Sequence, residues 1–299
     1  MTERIIFSIV VPTYNRAHLI SHTIESILAQ TFRDFELIII DDGSTDNTEQ
    51  VIQKYLSEQV HYYKKQNAER AAARNFGTQK AQGEYINWFD SDDIMLPNHL
   101  EDAAKMISKY SRPEVFAQGH RYQYPSGRII NTVSYTSTLN DLMYNGNPMA
   151  NSPVIVRRDI ALANLFNADR ELSGSEDFEL WLRLAAKYPV YSSPAITVAI
   201  IYHDERSTLT MTDPDKLIKR FTKFIQYTTS NAEVLALLGK QRSFFEMKNY
   251  LLLAVDLSVS GHLMLGRKYL AESFRRSPKI IFERGFYAFI KHSLKSEKH

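Results

Sequence analysis

The chain has 299 residues, 44% hydrophobic and 23% charged, with a net charge of +2 at pH 7. That balance belongs to an ordinary globular protein able to bury a core, and it argues neither for nor against nucleic acid as a partner. The absence of cysteine excludes disulfides, a thiol nucleophile and cysteine-ligated zinc, and fits a reducing compartment.

Residues 5–11 read as a buried strand. They do not read as a secretory leader, because the run is short, broken by Ser8, stopped by Pro12 and without a small-residue cleavage site. Residues 17–30 follow as an amphipathic helix that turns Leu19, Ile20, Thr23, Ile24, Ile27 and Leu28 inward. A second apolar strand at 36–40 leads into Asp41-Asp42-Gly43-Ser44-Thr45-Asp46 and a helix to about residue 57. Then come a strand at 60–64, a helix at 68–81, a strand at 85–89 and a helix at 98–110. Continuous apolar strands joined by helical crossovers predict a parallel sheet covered on both faces. Ligands bind such sheets at the carboxyl ends of their strands. Three polar clusters fall at those ends: Pro12-Thr13-Tyr14, Asp41-Asp42 and Asp90-Ser91-Asp92-Asp93.

Between 115 and 156 the pattern turns to short strands and loops, with a hairpin-like turn at Pro125-Ser126-Gly127. Residues 176–187 read as a helix with Phe178, Trp181, Leu182 and Ala185 on one face. A returning strand region at 190–201 is expected to break at Pro194, and from 213 the chain is helical to its end. Two regions are therefore expected, 1–212 and 213–299. The longest apolar stretch, 250–265, is interrupted by Asp256 and His262 and is too short and polar for a membrane span. From Gly261 onward nine Lys or Arg face only three Glu, interleaved with Phe274, Ile280, Ile281, Phe282, Phe286, Tyr287, Phe289 and Ile290. This tail reads either as packed helices with a solvated basic face or as a segment that docks on an anionic membrane surface. The expected location is cytoplasmic, peripheral on the inner face of the membrane in the second case.

Carboxylates a few ångströms apart raise each other's pKa. Three aspartates around Ser91, with Asp41 and Asp42 upstream, thus imply a divalent ion or a bound polyhydroxyl partner, unless the run is a solvated turn that caps the next helix. Gly43 is expected to take a positive φ, with Ser44 or Asp46 capping the helix that follows.

Val11-Pro12-Thr13-Tyr14-Asn15-Arg16, Asp41 to Asp46, Asp90 to Asp93 and Glu176-Asp177 occur in this order, accompanied by Gln30-Thr31-Phe32 and Arg74-Asn75-Phe76-Gly77. Together they resemble glycosyltransferase family 2, nucleotide-sugar enzymes with the GT-A fold, over roughly residues 4–210. The resemblance implies an α/β fold: a Rossmann-like, mixed but mainly parallel sheet with helices on both faces, here with a C-terminal helical extension. It implies a nucleotide-sugar site built from Pro12, Thr13, Tyr14, Asn15, Arg16, Asp41, Asp42, Arg74, Asp90 and Ser91. Tyr14 would offer a flat partner to the base, Asp41 would meet a uracil-type N–H, and Arg74 would lie near the base or its phosphates.

Asp90 would meet the ribose or the metal, and Asp92 would hold a Mn²⁺ or Mg²⁺ that bridges the diphosphate. Hard oxygen ligands suit these ions, and the departing nucleoside diphosphate gains negative charge as the glycosidic bond breaks. Asp93 is either a third ligand or a helix cap. His203 would complete the metal shell or pair with the diphosphate, with Arg206 as an alternative, unless it is simply solvated. The resemblance makes Asp177 the base that takes the acceptor proton, with Glu176 contacting acceptor or structure. Both also favour a helix N-terminus through its dipole.

The implied activity is metal-dependent, inverting transfer of a sugar from a nucleotide donor, a UDP-sugar, to a hydroxyl of a glycan or lipid-linked saccharide in cell-surface polysaccharide synthesis. The acceptor is expected near residues 115–152 and the loop before Glu176. A sugar-phosphate nucleotidyltransferase would share the sheet and the acidic ligands but would want a Gly-rich loop at 11–16, which is absent. A non-catalytic nucleotide- or carbohydrate-binding module is the remaining alternative. No dinucleotide fingerprint, phosphate loop or nucleic-acid motif is present.

Overall fold

The computed structural model describes residues 5–203 and 212–296. They form two compact units, each drawn from several stretches of chain. The first comprises residues 1–139, 149–170 and 187–203, and the second comprises 140–148, 171–186 and 204–299.

The first unit is built on one nine-stranded sheet. Strands β1 (Phe7–Thr13) and β2 (Phe35–Asp41) are buried along their whole length, as their continuous apolar runs require. Their buried polar pair is closed internally. Ser8 Oγ donates to Glu36 Oε1 at 2.6 Å, and the same oxygen accepts from the Gln82 backbone N–H at 2.6 Å. Helix α1 (Ile20–Leu28) and helix α2 (Thr48–Ile52), extended by a 3₁₀ turn at Gln53–Tyr55, supply the crossovers to β2 and to β3 (Val60–Lys64). Helix α3 (Glu69–Lys80) leads to β4 (Tyr85–Trp88). It lies so close to the sheet that a Cβ on Gly77 would sit 2.3 Å from Val10 Cγ1. The four strands run parallel in the order β3-β2-β1-β4. The register pairs Thr13 with Asp41, which brings two strand ends level.

The other half of the sheet is mixed. Strand β5 (Ile94–Met95) is followed by helix α4 (His99–Lys109), β6 (Val115–Gln123), β7 (Ile129–Val133), β8 (Val154–Arg157), helix α5 (Arg158–Ala163) and, later, β9 (Val190–Ile201). The order continues β4-β8-β6-β9-β5, with β8 antiparallel to both neighbours and β6 parallel to β9. The hairpin turn at 125–127 forms as expected, with Gly127 at φ +85 and Tyr124 N donating to Arg128 O at 3.0 Å. The expected break at Pro194 is instead a register shift within one long strand, opposite the span from Ala117 to Gly119. Proline lacks the N–H for a ladder bond, so the strand bulges there and then resumes pairing.

A buried polar seam joins the halves. Asn87 Nδ2 on β4 donates to Ser152 O and Val154 O, both at 2.8 Å. His99 sits between Asn87 Oδ1 (3.2 Å) and Thr197 Oγ1 (2.9 Å), and Gln118 Nε2 donates to His99 O at 3.0 Å. Burial holds the His99 imidazole neutral by pushing its pKa down to about 3.

The second unit holds helix α6 (Glu176–Ala185) and the helices α7 (Pro214–Ser230), α8 (Ala232–Leu238), α9 (Arg242–Val259), α10 (Leu263–Arg276) and α11 (Arg284–Ser296). Asp213 caps α7 by accepting from Asp215 N and Lys216 N, with Pro214 at the first helical position. Leu217 and Phe221 of α7 pack with Leu253 and Leu257 of α9. The unit does not begin simply at 213, because Phe178 of α6 stacks on Phe224 at 5.3 Å and draws that helix into the same core. Among the described residues no helix is long and apolar enough to cross a membrane.

Candidate active site

The carboxyl ends of β1 and β2 carry two loops that lock each other. Pro12 and Thr13 are buried in the last residues of β1, and Tyr14 then emerges 47% exposed. Asn15 adopts φ +50, a conformation asparagine tolerates because its short side chain can bond locally. Its backbone N–H donates to Ser44 Oγ at 2.9 Å, and its Oδ1 accepts from Thr45 N at 2.8 Å. Arg16 N donates to Thr48 Oγ1 at 3.0 Å. Gly43 has the expected positive φ, +86, and a Cβ there would meet Asn67 N at 3.1 Å. Asp46 Oδ1 accepts from Thr48 N at 3.0 Å just ahead of the helix, but the cap position itself is Asn47, so neither Ser44 nor Asp46 is the N-cap expected from the sequence.

Asp41 and Asp42 are turned inward. Asp41 is fully buried, with Oδ1 accepting from Ser44 N and Oδ2 from the Tyr62 hydroxyl, each at 2.7 Å. Burial, reinforced by that carboxylate, raises the Tyr62 hydroxyl pKa well above its usual value. Asp42 accepts from Lys65 Nζ at 2.5 Å and from Ala68 N at 3.1 Å. In this arrangement both side chains brace the loops.

After β4 the acidic run separates into different environments. Asp90 Oδ1 accepts from Arg74 Nη2 at 2.7 Å and from Asn151 Nδ2 at 3.0 Å. Arg74 is itself buried, its guanidinium 5.2 Å from the centre of the Phe166 ring. Ser91 is buried in the turn. Asp92 Oδ2 lies 3.0 Å from His203 Nε2 and 3.9 Å from Arg16 Nη2. Asp93 is buried, accepting from Ser152 Oγ at 2.7 Å and from Ile201 N at 3.3 Å. It does not cap α4, whose N-cap position is Asn98, and it ties the loop to residues beside β8 and β9.

The like-charge cost is thus met locally, by arginine at Asp90, by histidine and arginine at Asp92, and by hydrogen-bond donors at Asp93. Among the described residues no group of three or more His, Cys, Asp or Glu is arranged to hold a metal. Asp92 and His203 still present one oxygen and one nitrogen donor, and both side chains are less than one-fifth exposed. Mg²⁺ and Mn²⁺ take few protein ligands and fill their shells with water and phosphate oxygen, so this pair fits the protein's share of such a site. Arg206 lies outside the described residues.

In the second unit, Glu176 and Asp177 open α6 as expected. Glu176 is buried and its Oε2 accepts from Gly174 N at 2.5 Å, in a turn where Gly174 has φ +94. Asp177 is half-buried. Its Oδ1 accepts from Phe178 N at 2.7 Å, and its Oδ2 lies 3.4 Å from Asn147 Nδ2. Sequence reasoning missed Asn151, Ser152, Asn147 and Tyr62. Asn151-Ser152-Pro153, a polar turn ahead of a short apolar run, was the available signal for the first two.

The sheet, its crossovers and the strand-end carboxylates define the α/β class of GT-A transferases. The family model for glycosyl transferase family 2 matches residues 8–163, just over half of the chain, and the chain belongs to that family. An uncharacterized glycosyltransferase of Rickettsia conorii is 28% identical over 210 residues, covering 67% of this chain and 35% of the relative. The matched region therefore spans about a third of that relative's length. Among solved structures, Staphylococcus aureus TarS (residues 1–349) in complex with UDP-GlcNAc matches with a TM-score of 0.65 at 18% identity, over 90% of this chain and 89% of that one. The mannosyltransferase PcManGT of Pyrobaculum calidifontis, in complex with GDP-Man and Mn²⁺, gives 0.61 at 16% identity, over 99% and 88%. At these identities the likeness concerns the fold.

Proposed function

We propose that the chain is a metal-dependent inverting glycosyltransferase that moves a sugar from a UDP-sugar to a hydroxyl of a glycan or lipid-linked saccharide, as in cell-surface polysaccharide synthesis. The observation that carries this reading is the Asp92–His203 pair, 3.0 Å apart, beside an Asp90 anchored by buried Arg74. Such a cluster beside a parallel sheet's strand ends suits an anionic ligand with a bound cation. The UDP-GlcNAc and GDP-Man complexes of the structural neighbours, one of them with Mn²⁺, support a nucleotide-sugar donor.

In this reading Tyr14 stacks on the base, while Pro12, Thr13, Asn15 and Ser91 frame the nucleotide with backbone groups. Asp41 and Asp42 hold the loops, and a direct Asp41 contact with the base N–H requires its buried carboxylate to be uncovered. Asp92 and His203 would hold Mn²⁺ or Mg²⁺, Arg16 would flank the diphosphate, and Asp90 would face the ribose or share the ion. The cation, when bound, offsets charge on the departing diphosphate. Asp177 accepts the proton of the acceptor hydroxyl as its oxygen attacks the anomeric carbon. The bond to the diphosphate oxygen breaks on the opposite face, so the configuration inverts. Glu176, engaged with Gly174, shapes the turn that presents Asp177.

Nucleotide release from a panel of UDP- and GDP-sugars, with and without Mn²⁺, tests donor and metal together. Asp177→Asn should lower kcat about 10³-fold while donor binding, read by calorimetry, is kept. Turnover that survives the substitution would remove Asp177 from the base role.

A further inference from the structure

The tail of the second unit has two apolar faces, and its own core covers only one. Ile280, in the 3₁₀ turn Pro278–Phe282, is buried with Met247 and Leu251, and Phe289 of α11 is buried as well. From the same segment Phe282 is 79% exposed, Tyr287 63% and Leu294 60%, with Ile281 and Ile290 also open to solvent. In α11, Tyr287, Ile290 and Leu294 fall at i, i+3 and i+7, one continuous stripe. A simply solvated helix face would carry polar residues at those positions. Arg284 and Lys291 line the edge of the stripe, and among the described residues neither makes an ion pair. Glu283, the one acidic side chain described within residues 277–294, is paired with Lys248 at 2.6 Å.

We propose that residues 281–294 dock on an anionic phospholipid surface, with Phe282, Tyr287, Ile290 and Leu294 entering the acyl boundary and Arg284 and Lys291 meeting the headgroup phosphates. The pattern is that of an interfacial helix, apolar on the outer face with a cationic border, and the two contributions reinforce each other. Among the described residues no helix can cross the bilayer, so attachment is at the surface. A second copy of the chain is the poorer occupant, because a two-fold contact through this stripe would bring Arg284 and Lys291 towards their own equivalents. The proposal is independent of the reaction assigned above.

Sedimentation of the full chain with vesicles tests it, comparing pure phosphatidylcholine with a mixture containing one part in three of phosphatidylglycerol. The chain should pellet with the anionic vesicles, less so as salt is raised. The triple variant Phe282→Gln, Tyr287→Gln, Leu294→Gln should bind about tenfold more weakly, and Arg284→Gln with Lys291→Gln should lose the preference for phosphatidylglycerol. These side chains are exposed, so the variants should fold, which circular dichroism checks. Equal or absent sedimentation with both vesicles, or a triple variant that binds like the parent, would overturn the proposal. So would a parent dimer that the triple variant converts to monomer while neither pellets with lipid.

Discussion

The two halves of the sheet use polar side chains in opposite ways. In the parallel half, β3-β2-β1-β4, the interiors of β1 and β2 hold one buried polar pair, Ser8 with Glu36, and polar residues otherwise gather at and beyond the carboxyl ends, where Tyr14, Asp90 and Asp92 reach solvent. Where the mixed half meets β4 the polar groups lie inside, and Asn87 of β4, His99, Gln118, Thr197 and Ser152 satisfy one another. One half leaves hydrogen-bonding capacity for a ligand, and the other holds strands of different direction in a single register. The two meet at Asp90 and Asp93, whose backbone or carboxylate is fixed by Ser152. The lesson is that neighbouring aspartates of one short run can serve ligand and scaffold separately.

Substitutions should divide along the same line. After the loss expected at Asp177→Asn, the next largest effect is expected at Asp92→Asn: about 10²-fold lower kcat/KM with an unchanged melting temperature, measured with saturating Mn²⁺. A matching drop in stability would mean that Asp92 belongs with the scaffold. Ser152→Ala should do the reverse, costing about 2 kcal/mol in urea unfolding because buried Asp93 loses a donor.

The seam should also be sensitive to acid. The folded pKa of His99 lies near 3 against an ordinary 6.5, so the unfolded chain binds more protons between these values and stability falls as pH drops through that window. Between pH 7.5 and pH 5 this one group should remove about 2 kcal/mol. His120, shifted to about 4 by the same burial, adds to the trend. Urea midpoints at the two pH values should differ less for His99→Gln than for the parent, and an equal difference would discard the assignment. The smallest effect is expected at Tyr14→Ala, about a tenfold rise in donor KM from lost stacking, with kcat and unfolding unaltered.

The parallel half was legible in advance because each strand is a continuous apolar run and each crossover is local. Three strand-end clusters, the turn at Gly43 and the opening of α6 at Glu176 could be placed from pattern alone. The ends of α1 and α2 fall a few residues inside the expected bounds, where Ala29 and Leu56 leave helical geometry. Asp93 could not be assigned, since its partners Ser152 and Ile201 lie 59 and 108 residues away. Nor could the inward turn of Asp41 be seen, because it depends on Tyr62 in a neighbouring strand. The sequence predicts a break at Pro194 because no local rule says that β6 pairs on both sides of it.

By itself, then, the order of residues determined the parallel core, the family and the chemical types gathered at its edge, because periodicity and turn chemistry act over a few neighbours. Only the tertiary structure decided which carboxylates stay available and which are consumed as braces, how the mixed strands interleave, and which face of the basic tail is left uncovered. Those outcomes are set by contacts between segments far apart in the chain, where burial and hydrogen-bond satisfaction are shared properties of the whole layer.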